Sequence, residues 1–288
     1  MNRIITVIIA AALSAGMLQA QETSFDIKVG EVTMTVDASK GGKILSYRYG
    51  ETEVLSQMKF PNWFGSTFWT SPQKEWNWPP VPEIDSKPYT ATRENGKIVM
   101  TSQLSQRIPL RIVKEFSTDE ADNAIVITYS IINESDAERY VAPWEITRVP
   151  ADGLIFFAAP VEGIWPAGLM PFTSKSGIAW YAVDQADENR KVNADGKGWL
   201  AYAGNGLLMV KKFVDIAPTA PAPDEAEIQV YVNRGKTYIE LESQGAYTRL
   251  QPGEKVSWTV RWYLVPQNLP LEPSAKLARL VRKTAKVK

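Results

Sequence analysis

Apolar and polar residues alternate along most of this chain, and this period of two limits its fold more than any other feature of the sequence. The clearest case is the segment VSWTVRWYL at 256–264, in which every second residue is aliphatic or tryptophan. Successive side chains of a β-strand point to opposite faces of a sheet, so this pattern predicts a strand with one buried face. Similar runs occur at 33–36, 98–104, 110–116, 125–132, 207–213, 228–232 and 238–241. Turn sequences such as Asn95-Gly96 and Pro252-Gly253 separate the runs, which predicts an all-β protein of antiparallel sheets, built as a sandwich or a barrel.

The chain contains no histidine and no cysteine among its 288 residues. A Ser-His-Asp triad, a cysteine nucleophile, a zinc finger, a haem ligand and a histidine-based metal site are therefore excluded. Proton transfer must be carried out by carboxylates, tyrosine or lysine, and we predict no cofactor and no metal site. The 32 lysines and arginines balance the 32 aspartates and glutamates. A protein that tracks nucleic-acid phosphates needs a basic surface, so we expect no nucleic-acid partner.

The first twenty residues, 1–20, are typical of a secretory signal peptide. Asn2 and Arg3 precede an apolar run at 4–18, and Gln19-Ala20 supplies a small residue for cleavage. The alternative is a membrane anchor, but the run is shorter than the ~20 apolar residues that span a bilayer. We therefore expect signal cleavage, no stable membrane insertion afterwards, and a periplasmic or secreted protein. The following residues, 21–270, are expected to form a single β domain.

A basic tail at 271–288 follows this domain. Ser274 can cap a helix there that has Leu277, Leu280 and Val281 on one face. Six lysines or arginines follow position 275. The tail is therefore either a helix that binds a membrane surface or a partner, or a solvated or frayed terminal helix.

The segment 60–80, FPNWFGSTFWTSPQKEWNWPP, carries seven aromatic residues among 21 positions. Its polar residues and prolines break the period of both strand and helix, so we predict a long, partly rigid loop. Flat Trp and Tyr faces stack on the apolar C–H faces of sugar rings, and amides bind their hydroxyls. The ligand-binding candidates in this segment are Trp69, Gln73, Trp76 and Trp78. The alternative is that these aromatic residues fill the end of a sheet.

The segment 142–148, APWEITR, is a second candidate for the site. In an extended strand Glu145 points to one face and Trp144 to the other, so the carboxylate of Glu145 can face a cleft. The alternative is an ordinary ion pair between Glu145 and Arg148 or a lysine.

The segment 238–244, YIELESQ, is the third candidate, because it places Tyr238, Glu240, Glu242 and Gln244 on one strand face. Two like charges on one face repel each other, unless one holds a proton or a cationic or hydroxyl-rich partner lies between them. A solvated polar face is the alternative.

The segment 238–265, YIELESQGAYTRLQPGEKVSWTVRWYLV, resembles the closing part of the galactose-mutarotase-like superfamily. There a strand ends in a glutamate with a glutamine two residues on, and a leucine, a Pro-Gly-Glu turn and a final strand follow. The segment 41–55, GGKILSYRYGETEVL, is similar to the family's opening strands. Pro166-Ala167-Gly168 lies where the family often has a Pro-x-Gly turn. The resemblance implies a large antiparallel β-sandwich, the supersandwich of these proteins.

The Trp-rich segment 71–80, SPQKEWNWPP, resembles a secreted branch of this superfamily more than the true epimerases. In the true mutarotases, the resemblance implies, a carboxylate removes the proton from the anomeric hydroxyl while a histidine protonates the ring oxygen. Glu242 matches that base, whereas the histidine would lie near Trp144-Glu145 and has no counterpart in this chain. The family's substrate-holding arginine after a Phe-Gly pair is also missing, because Ser66 follows Phe64-Gly65.

Two sugar hypotheses follow from the resemblance. In the first, the chain binds a saccharide: aromatic residues of 60–80, with Trp144, stack on the ring. The hydroxyls are then bound by Glu145, Arg148, Glu242 and Gln244. We favour this hypothesis, because the joint loss of the histidine and the arginine is explained most simply by lost catalysis. In the second, Glu145 is a protonated acid and Glu242 an ionised base of a histidine-free aldose 1-epimerase-like isomerase, or of another carboxylate-driven enzyme such as a glycosidase.

Both sugar hypotheses require Glu145 and Glu242 to converge in one concave site beneath the tryptophans. A Glu242 carboxylate on an outer surface, away from every tryptophan, would weaken both. The remaining alternative is a structural or protein-interaction β-sandwich, and the oligomeric state is left open.

Overall fold

Antiparallel β-sheet makes up nearly all of the regular structure in the computed structural model, which describes residues 22–58 and 63–287. The predicted signal peptide at 1–20 lies outside the described residues. In chain order the strands are Ser24–Val29 (β1), Val32–Asp37 (β2), Lys43–Tyr49 (β3), Thr52–Glu53 (β4), Ser66–Ser71 (β5), Thr90–Glu94 (β6), Lys97–Thr101 (β7), Leu110–Asp119 (β8), Ala124–Asn133 (β9), Arg139–Val149 (β10), Leu154–Phe157 (β11), Thr173–Lys175 (β12), Ile178–Ala182 (β13), Arg190–Ala194 (β14), Trp199–Gly204 (β15), Leu207–Lys212 (β16), Ile228–Val232 (β17), Ile239–Gln244 (β18), Thr248–Leu250 (β19) and Lys255–Pro266 (β20). The α-helices are Pro82–Asp85 (α1) and Ala275–Ala285 (α2), and short 3-10 helices lie at Ala38–Lys40, Gln73–Glu75, Val161–Gly163 and Arg234–Lys236.

The described strands form two ten-stranded antiparallel sheets. The first sheet has the order β1-β2-β3-β5-β10-β18-β17-β14, with β4 paired to β3 and β19 to β10. The second sheet has the order β12-β13-β11-β15-β16-β20-β9-β8-β7-β6. Neither sheet closes on itself, so the fold is a sandwich rather than a barrel. The predicted all-β antiparallel architecture is confirmed.

The two sheets pack face to face over a continuous apolar core. Phe68 of β5 stacks on Tyr129 of β9 with ring centroids 4.4 Å apart, and Tyr47 of β3 meets Trp262 of β20 edge-on at 5.2 Å. Both contacts join the first sheet to the second. Trp262 belongs to the alternating segment 256–264, so the pattern that predicts this strand also supplies the side chains that hold the sheets together.

The C-terminal helix α2 packs on the outer face of the second sheet. The Ser274 hydroxyl accepts a hydrogen bond from the Leu277 N–H at 3.3 Å, and Leu277 and Val281 are fully buried. The predicted helix is therefore present, and it is not frayed, because its apolar face is covered while its basic side chains stay exposed to solvent. A binding role for its basic residues stays a prediction. Within 22–58 and 63–287, no helix has the length and apolar character needed to cross a bilayer.

The segment 60–80 is not a single loop. Ser66–Ser71 forms β5, which lies in the middle of the first sheet between β3 and β10, and all six of its residues are buried. The predicted irregular loop is wrong here because a central strand that is covered on both faces has no polar face and need not alternate. Its polar groups are satisfied internally: the Ser66 hydroxyl donates to the Ile146 carbonyl at 2.9 Å.

Candidate functional site

The candidate site lies on the outward face of the first sheet. Side chains alternate along β10 and β18, so the residues that do not enter the core point away from the second sheet. Glu145 and Leu241 enter the core, whereas Trp144, Glu240 and Glu242 point outward. The sheet thus presents aromatic and acidic side chains on the face that the second sheet does not cover.

Cross-strand pairing brings these outward residues side by side. One row runs across β10, β18, β17 and β14 through Arg148, Glu240, Tyr231 and Lys191. The next row runs across the same strands through Ile146, Glu242, Gln229 and Asn193. A third row joins β5, β10 and β18 through Trp69, Trp144 and Gln244. Because directly paired side chains lie roughly 5 Å apart on one face, the three rows form one continuous patch.

A cavity of about 390 Å³ lies over this patch, and we call it the aromatic cavity. Its lining residues are Trp63, Trp69, Gln73, Trp78, Trp144, Lys191, Tyr231, Asn233, Tyr238, Glu240 and Glu242. Trp63 and Trp78 are stacked with ring centroids 4.8 Å apart, and Trp69 meets Trp144 edge-on at 5.4 Å. Trp78 is 55% exposed, so its ring is available to a ligand.

Glu242 lies at the base of the aromatic cavity and is almost completely buried. Its Oε2 accepts hydrogen bonds from Trp144 Nε1 and from Lys191 Nζ, each at 2.9 Å. The Lys191 ammonium also lies 4.7 Å from the centre of the Trp144 ring. Burial raises the pKa of Glu242, and the Lys191 charge partly offsets this rise. A proton acceptor and a cation therefore face the same cavity within hydrogen-bond distance of each other.

Glu240 forms its own ion pair, with Arg148 rather than with Lys191. The Arg148 Nη2 lies 2.8 Å from Glu240 Oε1, and the guanidinium lies between the rings of Trp63 and Tyr238, at 5.4 and 5.5 Å. The repulsion expected between Glu240 and Glu242 is relieved because each carboxylate has its own positive partner. In the part of the chain that the structure describes, no three His, Cys, Asp or Glu side chains are grouped so as to hold a metal ion.

Glu145 does not lie in this cavity, and the predicted convergence of Glu145 with Glu242 is wrong. The register pairs Glu145 with Ser243, the neighbour of Glu242, so the two carboxylates point to opposite faces of the sheet. In the core, Lys211 Nζ lies 2.7 Å from Glu145 Oε2, and Tyr129 donates to Oε1 at 2.6 Å. The lysine ion pair that the sequence left as the alternative is the one that forms. Glu145 therefore has no access to a ligand in the cavity, and both sugar hypotheses are overturned in the form that depends on the Glu145–Glu242 pair. A sugar site on this sheet must rest on Glu242 and the aromatic wall without Glu145.

The other predicted site residues divide into two groups. Those that line the aromatic cavity are Trp69, Gln73, Trp78, Trp144 and Glu242. Trp76 and Gln244 do not, since both are buried, with Trp76 Nε1 donating to the Thr70 carbonyl at 2.8 Å and Gln244 Nε2 donating to Glu225. Arg148 is also buried, and it contacts the wall rather than the cavity. Direct ligand contact by these three is thus contradicted by packing, whereas the roles of the lining residues stay predictions.

Six of the lining residues are not among the site residues that the sequence predicts: Trp63, Lys191, Tyr231, Asn233, Tyr238 and Glu240. Tyr238 and Glu240 were already on the polar face of the segment 238–244, and Tyr231 lies on a predicted strand. Lys191 lies on β14, where only five residues, RKVNA, carry the alternation. A run that short does not stand out from loop sequence, so Lys191 is recognised only through its pairing with Tyr231.

A second cavity of about 280 Å³ adjoins the first, and we call it the polar cavity. It shares Gln73, Trp144 and Lys191 with the aromatic cavity. Its other lining residues are Lys74, Asn193, Pro223, Asp224, Glu225 and Gln229. The two cavities therefore lie side by side on the outward face of the first sheet.

No protein-family model matches the sequence, and no curated protein matches it significantly. Solved structures do match the folded chain. A protein provisionally assigned as an aldose 1-epimerase, from Escherichia coli K12, aligns with a TM-score of 0.62 at 13% identity, over 85% of this chain and 99% of that one. A galactose mutarotase-like protein from Lactobacillus casei aligns with a TM-score of 0.59 at 11% identity, over 84% and 100% of the two chains. A galactose mutarotase related enzyme from Lactobacillus acidophilus aligns with a TM-score of 0.58 at 8% identity, over 87% and 100%.

Identities this low show the fold alone. The chain has the galactose-mutarotase-like sandwich fold, which is the fold that the resemblance of the segments 238–265 and 41–55 implies. The alignments cover nearly the whole of each neighbouring chain, so the complete two-sheet domain is shared. Fold alone does not transfer a reaction, and function must be argued from the cavities.

Proposed function

We propose that this protein binds carbohydrate in the aromatic cavity, and that it does so in the periplasm or outside the cell. The observation that carries the proposal is the composition of the cavity, in which the rings of Trp63 and Trp78 stand beside a base of hydrogen-bonding groups. Sugar rings have apolar C–H faces that stack on aromatic rings and hydroxyls that need polar partners. The Gln73 and Asn233 amides and the Lys191 ammonium supply such partners. The names of the structural neighbours, which concern aldose epimerases and galactose mutarotases, support a sugar ligand.

Replacing Trp78 with alanine is expected to weaken sugar binding about tenfold, because a stacking surface worth ~1–2 kcal/mol is lost. Isothermal titration of a panel of aldoses and disaccharides against wild type and variant measures this. Trp165→Ala is the matched control, since Trp165 is 43% exposed and lines neither cavity. Wild-type affinity in the Trp78 variant would remove the aromatic wall from the binding site.

A histidine-free aldose mutarotase is the second candidate, and the contact between Lys191 and Glu242 at 2.9 Å favours it. In such a reaction the Glu242 carboxylate takes the proton of the anomeric hydroxyl. The Lys191 ammonium gives a proton to the ring oxygen as the bond between C1 and that oxygen breaks, and ring closure on either face returns both protons. Lys191 would then act in place of the histidine that the chain lacks.

The test of this candidate is polarimetry of a freshly dissolved pure anomer. Catalysis should accelerate equilibration, and the rate should rise with pH through the raised pKa of Glu242, because only the ionised carboxylate is a base. Glu242→Gln and Lys191→Met should each lower the rate at least a hundredfold, whereas Trp165→Ala should not. If the anomers of glucose, galactose and mannose all equilibrate at the rate seen in buffer, mutarotase activity is ruled out and sugar binding remains as the proposed function.

The proposed location depends on the signal peptide at 1–20. Expression in a bacterial host with Sec-dependent export is expected to release a protein that starts at Gln21 into the periplasm or the medium. Intact mass measurement of the exported protein checks the cleavage site. Recovery of the full chain in the membrane fraction would favour the anchor instead.

A further inference from the structure

The polar cavity adjoins the proposed sugar site and has a different chemical character. Trp144 is the one aromatic residue among its described lining residues, and the rest are mainly amides, carboxylates and lysines. A wall of this kind offers hydrogen bonds to hydroxyls but little stacking surface.

We propose that the polar cavity binds a second sugar unit, so that the ligand is a disaccharide or the end of a longer glycan rather than a single monosaccharide. This inference rests on the proposed function. It adds to that function a second binding site and a minimum length of the ligand.

The bases of the two cavities are continuous. Glu242, at the base of the aromatic cavity, pairs across β18 and β17 with Gln229, which lines the polar cavity, and Gln229 pairs in turn with Asn193. Neighbouring strands are about 4.8 Å apart, so the second cavity begins one strand away from the first. The side chains on their common border, Gln73, Trp144 and Lys191, can contact both units of one ligand.

Polar groups in the second cavity have capacity for a ligand. The Asn193 side-chain amide makes no hydrogen bond to any residue within 22–58 and 63–287, although it is partly shielded from solvent. Among the described residues, the carboxylate that pairs with the Lys74 ammonium is a distant one, with Asp224 Oδ2 at 3.9 Å, and both side chains are exposed. Neither group has to break a strong protein contact to bind a hydroxyl.

The border between the cavities is held in place before any ligand arrives. The Glu225 carboxylate accepts hydrogen bonds from the Gln73 backbone N–H at 2.8 Å, from the Ser71 hydroxyl and from the Gln244 amide. These bonds fix the short 3-10 turn that carries Gln73 and Lys74 between the two cavities. Preorganisation of this kind lowers the entropy lost on binding.

Size supports the same conclusion. Pockets for small ligands usually measure ~300–1,000 Å³. The aromatic cavity, at about 390 Å³, is near the lower limit, and the polar cavity, at about 280 Å³, is below it. Only the two together fall well within the range, which favours one ligand that extends across both.

The test is titration calorimetry of wild-type protein with three matched pairs of probes: galactose and lactose, glucose and cellobiose, mannose and mannobiose. We expect at least one disaccharide to bind about tenfold more tightly than its monosaccharide, since the second unit gains two or more hydrogen bonds. In Asn193→Ala and in Lys74→Ala, the ratio of disaccharide affinity to monosaccharide affinity should fall to about twofold. In the control Tyr140→Ala, which removes an exposed ring that lines neither cavity, the ratio should stay near tenfold. Circular dichroism melting curves establish that each variant is folded.

The outcomes separate this inference from the proposed function. Equal affinity for a monosaccharide and its disaccharide, or a ratio that neither variant changes, overturns the second sugar site but leaves sugar binding in the aromatic cavity intact. Failure of the wild-type protein to bind any of the six sugars overturns both.

Discussion

The variant Lys211→Ala is expected to lose about 3–5 kcal/mol of unfolding free energy, because it leaves a carboxylate buried without its partner. Lys211 Nζ lies 2.7 Å from Glu145 Oε2, and both side chains are completely inaccessible to solvent. The same ammonium donates to the Thr147 hydroxyl at 3.0 Å and to the Leu241 carbonyl at 3.2 Å. Burial lowers the pKa of Lys211, and the Glu145 charge opposes this, so the two groups depend on each other. Urea denaturation followed by tryptophan fluorescence measures the loss.

The double variant E145Q/K211M is the control for this prediction. It removes both charges while the new amide oxygen still accepts from Tyr129, which donates to Glu145 at 2.6 Å in the native protein. We expect it to recover most of the lost stability, since a buried ion pair replaced as a unit costs little. It should also bind sugar like the wild type, because Glu145 faces the core. A double variant no more stable than Lys211→Ala, or one with lost affinity, would contradict this account of Glu145.

The variant Trp76→Ala is expected to lose about 3–5 kcal/mol, the usual result of deleting a fully buried indole. Trp76 is 2% exposed, its Nε1 donates to the Thr70 carbonyl at 2.8 Å, and its ring meets Trp69 edge-on at 5.7 Å. Its loss leaves a void beneath one wall of the aromatic cavity. Thermal and urea denaturation measure the effect.

Trp78, two residues along the chain, is the matched comparison. Its ring is 55% exposed, so Trp78→Ala should cost less than ~1 kcal/mol in stability while weakening sugar binding. The pair thus separates a structural tryptophan from a ligand-facing one. Equal losses of stability in the two variants would contradict the division that the structure makes between them.

Most of the strands that sequence alone predicted, such as β8, β9 and β20, have one buried face and one more exposed face. The segment 256–264 lies within β20. Its period of two is visible in the sequence because its polar residues face away from the core at alternate positions. The central strand Ser66–Ser71 was not predicted, since both of its faces are covered and its residues show no period. Period reports the number of faces exposed to solvent: β5 has none, whereas β20, also an interior strand of its sheet, has one.

The same lack of a solvent-exposed face explains why the sequence did not show which side of β10 carries the candidate site. Strand alternation predicts Trp144 and Glu145 on opposite faces of one strand, and they lie there in the structure. The cavity was expected on the Glu145 face, and this was wrong because every residue from Val141 to Val149 is buried and polar side chains lie on both faces. Glu242, which lines the cavity, was selected from the polar face of the segment 238–244 together with the family resemblance. Its partner Lys191 is 51 residues away in the chain, so no local pattern links them.

By itself the sequence determined the antiparallel all-β class, the polar face that carries Glu240 and Glu242, and the absence of any histidine for the family's reaction. These are local properties, set by residue type and by alternation along single strands. Only the tertiary structure decided that Glu145 pairs with Lys211 in the core, and that Glu242 pairs with Lys191 in a cavity. The physical reason is that burial and pairing depend on which strands become neighbours, and that depends on the register of the whole sheet.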